Sequence, residues 1–279
     1  MILKSKEIKI GNFFNVGGEN PLAFILGPCV LENEKTPFEI AERLKKLSLK
    51  YKFNLIFKAS FDKANRTSYN SFRGVGLEKG MEILKNIKET FEIPILTDIH
   101  ESYQAKIVAQ VVDVIQIPAF LVRQTDLVYE ASKTKKTINL KKAQFLSPFE
   151  MEHVVNKVKE TGNENYFLTD RGTFFGYNRL VNDFKYFPVY KKYGPLCFDV
   201  THSCQLPGMS NSSGGEPEYI DNLSFAAVAS FVDLLFFETH FSRDLAKSDS
   251  SNLILMKDLE NLIPKLIDLS NFVRKNIFQ

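Results

Sequence analysis

Eight short apolar runs punctuate this chain, beginning roughly 20 to 40 residues apart, and each ends in groups that can bind or do chemistry. In order they read LAFILGPC, LIFKAS, IPILTDIH, VVDVIQIPA, TINLKKAQ, YFLTDRG, LCFDVTH and LLFFETH. The intervals are mostly long enough for one strand, one loop and one helix, which is the repeat of parallel βα architecture. Over 279 residues, eight such units predict a closed (β/α)8 TIM barrel, since that fold needs roughly 250 residues. Ahead of the first run, EIKI and FFNV flank Gly11-Asn12 and read as a small hairpin capping one end of the barrel. No linker, repeat or low-complexity tract divides the chain. The expectation is one domain, 1–279, with the hairpin in 1–20.

Helix signals fill the intervals. Thr36-Pro37-Phe38-Glu39 reads as an N-cap, a proline in the first turn and a capping-box glutamate, ahead of Ile40, Leu44 and Leu47 on one face. Ser147-Pro148-Phe149-Glu150 repeats the arrangement before Met151, Val154, Val155 and Val158, with Gly162 as the stop. Leu77, Met81, Leu84, Ile87 and Phe91 hold a helical period. The segment from Lys257 to Phe278, interrupted by Pro264, supplies the last outer helix.

Composition narrows the setting. A net charge of +3, from 36 basic and 33 acidic residues, is too mild and too evenly spread to argue for nucleic acid. Cys29, Cys197 and Cys204 form no CxxC pair and leave one thiol over under any disulfide scheme, which favours a reducing compartment. The first residues lack the apolar core of a signal peptide, and no run approaches the roughly 18 apolar residues of a membrane span. The expected location is the cytoplasm, away from membranes.

Parallel barrels place their active sites at the C-terminal ends of the strands, where the loops surround one mouth. Here those ends carry Cys29, Lys58, Asp98 with His100, Gln116, Lys141 with Lys142, Arg171, His202, and Glu238 with His240. Lys63 and Arg66 follow Lys58 closely, and Arg123 follows the fourth run. Like charges 4 Å apart repel by about 4 kcal/mol at an effective dielectric of 20, so this many cations call for anions between them. Phosphate suits both the arginine fork and the lysine point charge. Two clusters, one around the second run and one around the fifth and sixth, point to two phosphoryl groups. Alternation along a strand sends Lys142 to the face opposite Lys141, so only one of the two belongs in the mouth.

Cys29, His202 and Glu238 lie at the ends of the first, seventh and eighth runs, which become neighbours when the barrel closes, and Asp249 lies in the loop after the eighth. A thiol, an imidazole and two carboxylates suit zinc, iron or manganese. The spacing has no HxxxH or CxxC signature, and each residue singly also fits a structural role. The glycines of RGVGLEKG miss the dinucleotide-binding spacing and follow no strand directly, so they read as a loop entering a helix.

Taken in order, GPCVLE, FKASFDKANRTS, FRGVGLEKG, ILTDIHE, VDVIQIPAFLVRQTDL, LTDRGTFFGYNRLVND and FDVTHS closely resemble the 3-deoxy-D-manno-octulosonate 8-phosphate synthases, over nearly the whole chain. The resemblance implies condensation of phosphoenolpyruvate with arabinose 5-phosphate and water, for lipopolysaccharide synthesis, by a (β/α)8 barrel that is commonly a homotetramer. It assigns phosphoenolpyruvate to Lys58, Lys63, Gln116, Lys141 and Arg171, and arabinose 5-phosphate to Asn65, Arg66 and Thr67. Arg123 would reach the pentose phosphate of an adjacent subunit. Cys29, His202, Glu238 and Asp249 match the ligands of the metal-dependent class. Asp98 and His100 are further candidates for proton handling or water contacts, or are structural.

Departures from the pattern are Ala143, where proline usually follows the two lysines, Thr67 in place of serine, and Glu216-Pro217 where basic residues are common. The alternative enzyme is the related heptulosonate synthase using erythrose 4-phosphate, whose KPRTS-like segment contrasts with KANRTS here. A catalytically silent barrel would have lost phosphate-site residues, and none is missing.

Overall fold

A computed structural model describes residues 4–66, 68–174, 179–206, 214–248 and 250–277. Strands β1 (Ile8–Ile10) and β2 (Phe14–Val16) pair antiparallel, Ile8 opposite Val16, forming the expected hairpin. Seven parallel strands follow: β3 (Ala23–Gly27), β4 (Asn54–Lys58), β5 (Ile95–Asp98), β6 (Val114–Ile117), β7 (Thr137–Lys141), β8 (Tyr166–Asp170) and β9 (Leu196–Asp199). The short strands β10 (Gln205–Leu206) and β11 (Gly214–Gly215) pair with each other. Then β12 (Leu234–His240) pairs in parallel with both β9 and β3, closing a ring of eight. A further short strand, β13 (Ile254–Leu255), adds to the end of β12.

The outer layer consists of α1 (Lys35–Tyr51), α2 (Leu77–Phe91), α3 (Gln104–Val108), α4 (Thr125–Lys133), α5 (Met151–Lys159) and α6 (Phe187–Tyr193). A single turn, α7 (Val200–Ser203), follows β9, and α8 (Ile220–Ala229) and α9 (Met256–Ile277) complete the ring, with Pro264 inside α9. The apolar stripes read from the sequence are the faces buried on the barrel: Ile40, Leu44 and Leu47 of α1, and Met81, Leu84 and Ile87 of α2. One expectation at a helix start is corrected. Thr36 does not cap α1; it lies within the helix, and Asn33 Oδ1 accepts its backbone N–H at 2.7 Å. Pro37, lacking an N–H, needs no such partner. At Glu150 the capping-box bond forms, Ser147 N to Oε2 at 2.8 Å.

Parallel strands covered on both faces read as apolar runs because neither face meets water. Alternation then divides each run. Outward residues such as Phe57, Ile115, Leu140 and Phe237 join the helices in one large core. Inward residues Ile25, Ile56, Leu96, Val114, Phe167, Cys197 and Phe236 fill the barrel together with Ile8, Ile10 and Val16 of the hairpin. The hairpin therefore plugs the end at which the strands begin. Thr137, opening β7, donates to Lys9 O at 2.7 Å, and Lys6 Nζ bonds Glu164 Oε2 at 3.0 Å. With that end filled by apolar side chains, the polar inward positions lie toward the C-terminal ends of the strands. Among the described residues no helix is long and apolar enough to cross a membrane, and none of the three cysteines forms a disulfide.

Gly27 ends β3 where the chain passes closest to β4: a Cβ there would stand 2.0 Å from the carbonyl oxygen of Lys58. The contact is with backbone and cannot be relieved by turning a side chain. Gly27→Ala should therefore lose about 3 kcal/mol of stability. A urea midpoint equal to that of the parent would disprove the close approach.

Candidate active site

Above the apolar floor, the next inward positions are polar and buried: Lys58, Asp98, Gln116, Asn139, Lys141, Thr169, Asp199 and Glu238, with Arg171 just past the end of β8. Buried ions are tolerated only when paired, and removal of one partner from such a pair costs about 3 to 5 kcal/mol. Lys58 Nζ donates to Glu238 Oε1 at 2.6 Å and to Cys29 O at 2.9 Å. Lys141 Nζ stands 2.6 Å from Asp199 Oδ2. Both ammonium groups also lie over the Phe236 ring, 5.6 Å and 4.2 Å from its centre, so the uppermost apolar residue of the floor carries two cations.

The electrostatics follow from this crowding. Burial alone would raise the Glu238 carboxyl, but Lys58, with His202 and Lys63, holds it far below the usual carboxylate range. Burial likewise opposes ionisation of Asp199, which His202, Lys141 and Arg171 overcome. Burial lowers the Lys141 ammonium, Asp199 opposes that, and Arg171 and Lys58 add to the lowering. Arg171 Nη2 donates to Gln205 Oε1 at 2.6 Å and to His202 O at 3.4 Å. A neutral chain continues around the rim: Asn139 Nδ2 donates to Gln116 Oε1 at 3.0 Å, and Thr169 Oγ1 donates to Asn139 Oδ1 at 2.6 Å.

On the β4 and β5 side, His100 Nε2 stands 3.3 Å from Asp98 Oδ2, and Lys63 Nζ donates to Ser60 Oγ at 2.8 Å. Burial would raise Asp98, but the Lys63 ammonium and the bond to His100 hold it well below 3.8. Arg66 is fixed by two neutral carbonyls, Phe72 O at 3.0 Å and Lys247 O at 3.3 Å, which orient the guanidinium without cancelling its charge. Asn65 is exposed in the same loop, and Thr67 lies outside the described residues. Arg123 is not brought to the mouth: its side chain is exposed, and its carbonyl accepts from Lys157 Nζ at 2.8 Å.

His202 and Glu238 converge as the closing of the ring requires. Asp199 Oδ2 lies 2.8 Å from His202 Nδ1, and Nε2 faces Glu238 Oε2 at 3.7 Å. Glu238 Oε2 is buried and accepts no hydrogen bond. Cys29 Sγ donates to Ser248 Oγ at 3.1 Å, directly before Asp249, which lies outside the described residues. Among the described residues no three His, Cys, Asp or Glu side chains are close enough together to hold a metal ion.

Residues 6–275 match the sequence profile of the DAHP synthetase I family. The chain belongs to that family. A 2-dehydro-3-deoxyphosphooctonate aldolase of Geotalea uraniireducens strain Rf4 is 49% identical over 271 residues, covering 96% of this chain and 99% of the relative. The protein of that name from Trichlorobacter lovleyi is 50% identical over 272 residues, covering 97% and 100%. The one from a Synechococcus species is 47% identical over 271 residues, covering 96% and 95%.

In this family member, several residues of the mouth are not evident from motif reading. Asp199 binds both Lys141 and His202, and its signal was available: an aspartate ending a strand three residues before the histidine, where it also accepts His202 N at 3.0 Å. Asn139 and Thr169 look like ordinary strand residues, and only the barrel register places them beside Gln116. Glu32 accepts Lys247 N at 2.6 Å and stands 3.7 Å from His240 Nε2, fixing the loop that also meets Arg66. Nothing in the sequence pairs residues so distant.

Two predictions follow from these charges. Asp199→Asn leaves Lys141 buried without its counter-charge, and stability should fall by about 3 kcal/mol or more, measured by urea unfolding at pH 7; a loss under about 1 kcal/mol would contradict the pairing. For Asp98, the folded-state pKa is depressed, so its stabilisation is complete above the unfolded value of about 4 and disappears as pH falls through the folded value. The melting-temperature gap between the parent and Asp98→Asn should hold steady from pH 7 to 5 and shrink below about pH 4. A gap that widens with acid would show the sign to be wrong.

Proposed function

We propose that this chain is a 3-deoxy-D-manno-octulosonate 8-phosphate synthase, joining phosphoenolpyruvate to D-arabinose 5-phosphate with uptake of water and release of phosphate, in lipopolysaccharide biosynthesis. The observation that carries this reading is the convergence of Lys58, Lys141 and Arg171 on one buried mouth, with Lys63 and Arg66 on the loop above it. The near full-length likeness to octonate aldolases favours the pentose over the erythrose 4-phosphate of the heptulosonate branch.

In this reading Lys58, Lys63, Gln116, Lys141 and Arg171 hold phosphoenolpyruvate. Its phosphate and carboxylate enter where four cations, Lys58, Lys63, Lys141 and Arg171, already face Glu238, Asp199 and Asp98. The carboxylates keep the cations in place, and the excess positive charge attracts the anion. Asn65, Arg66 and Thr67 hold the aldose phosphate, with the aldehyde toward the enol. The enol carbon attacks the aldehyde carbon, water adds at the other end of the double bond, and the resulting bisphosphorylated hemiketal expels phosphate. No Schiff base is needed. Fixed cations around the developing oxyanion stabilise it without reorganisation. Asp98 and His100, 3.3 Å apart, would handle a proton or contact water in this reading.

Cys29, His202, Glu238 and Asp249 would hold a divalent zinc, iron or manganese ion. Supporting this reading, Glu238 Oε2 is buried with no hydrogen bond, and the Asp199 carboxylate lies 2.8 Å from His202 Nδ1, the kind of outer-sphere partner that orients a ligating histidine. Such an ion would orient the aldehyde or acidify water. Assembly as a homotetramer would let Arg123, exposed here, serve a neighbouring subunit's pentose phosphate. The location that agrees with this chemistry is the cytoplasm.

Phosphate release assayed with each aldose decides the substrate: turnover should be at least about tenfold faster with arabinose 5-phosphate than with erythrose 4-phosphate. The reverse order would reassign the enzyme. For the metal, Cys29→Ala should be purified with little bound metal by elemental analysis and should lose most activity, and chelator should silence the parent until metal is restored. Full metal content in Cys29→Ala would refute the ligand set.

A further inference from the structure

Lys142 is the strand-end lysine that the mouth does not use. Its neighbour Lys141 points into the barrel, so Lys142 points outward, into the seam between the loops that follow β7 and β8. It is wholly buried there. Its Nζ lies 3.0 Å from Ala143 O and 3.1 Å from each of Leu146 O, Gly172 O and Thr173 Oγ1. The Asp170 carboxylate stands farther away, at 3.8 Å, engaged by Tyr190 Oη at 2.8 Å and Gly172 N at 3.2 Å.

Four neutral oxygens in a first layer with one carboxylate behind them is the surrounding of a coordinated cation, not of an ordinary ion pair. Two of the oxygens belong to the loop after β7 and two to the loop after β8. A backbone bond from Phe174 N to Gln144 O, 3.1 Å, crosses the same seam. Gly172 has φ +86°, a conformation that turns its carbonyl toward Nζ and that a side chain would resist. Residues 170 and 172 are therefore both held by this cage. Arg171 lies between them, and its side chain leaves in the other direction, into the mouth.

We propose that Lys142 is a positioning residue: its ammonium is a built-in cation that clamps the two loops and thereby aims Arg171 at the anionic substrate. The part concerning substrate rests on the function proposed above, in which Arg171 grips phosphoenolpyruvate. Without Nζ the cage keeps its oxygens and loses its charge. A small ion able to donate hydrogen bonds, ammonium or methylammonium, can then take the vacated place, whereas tetramethylammonium cannot.

The test compares the parent, Lys142→Ala and Lys142→Met in ammonium chloride and in tetramethylammonium chloride of equal concentration. Melting temperatures are read without substrates. Lys142→Ala should melt about 5 °C or more below the parent in tetramethylammonium and recover at least half of that loss in ammonium. Lys142→Met, whose side chain fills the cage, should show no such recovery. In kinetics, both variants should raise KM for phosphoenolpyruvate by about tenfold or more, with KM for arabinose 5-phosphate within about twofold of the parent, and ammonium should reverse this in Lys142→Ala alone. Equal salt responses in parent and Lys142→Ala, or an unchanged KM for phosphoenolpyruvate, overturn the proposal. If Lys142→Ala does not fold in either salt, the KM of Lys142→Met decides. A parent that fails to turn over would instead refute the proposed function, and the substrate-free melting comparison would still decide whether the cage is a cation site.

Discussion

The cost of burying charge governs the upper half of this barrel. Lys58 and Lys141 stand over the Phe236 ring at the top of an apolar floor, where an unpaired ammonium would be strongly unfavourable. Each is held by a carboxylate from a strand distant in sequence, Glu238 for Lys58 and Asp199 for Lys141. Those carboxylates are in turn shared with His202, so the pairs form one connected unit. The unit keeps the mouth assembled and positively charged at once, which a reaction between two phosphorylated molecules requires.

The apolar floor makes this unit possible. The hairpin fills the end at which the strands begin with Ile8, Ile10 and Val16, packed against the inward apolar residues of the strands. Inward positions change from Ile56, Leu96 and Phe167 to Lys58, Asp98 and Thr169 within two residues on each strand. The buried charged groups of the mouth thus stand on strands, while Arg66 comes from a loop above them. The same division holds at Lys141 and Lys142, where successive residues serve the mouth and the seam behind it.

Much of this was legible in the residue order. The eight runs, their spacing and the charges at their ends predicted the barrel and the location of the mouth, and alternation alone separated Lys141 from Lys142. The hairpin and the amphipathic helices also lay where their patterns placed them. The start of α1 differed: the helix begins at Lys35, ahead of the threonine expected to cap it, and Asn33 Oδ1 accepts the Thr36 N–H. The crowding of cations predicted anions between them, with phosphate as the suitable partner; Asp199, Glu238 and Asp98 already relieve part of the repulsion. A strand-end aspartate three residues before a histidine also fits a simple helix cap, so the pairing of Asp199 with Lys141 is not evident from the residue order.

By itself, the amino-acid order determined the class of fold, the end of the barrel that carries chemistry, and the charge of the groups found there. Those depend on local periodicity and on the polarity gradient along each strand, which are properties of short segments. Only the tertiary structure decided the partners: Lys58 with Glu238, 180 residues away, Asn139 between Gln116 and Thr169, and the oxygens around Lys142. Those depend on the register with which eight strands close into a ring. A shift of one residue in that register would turn every inward group outward while leaving each segment's own pattern unchanged.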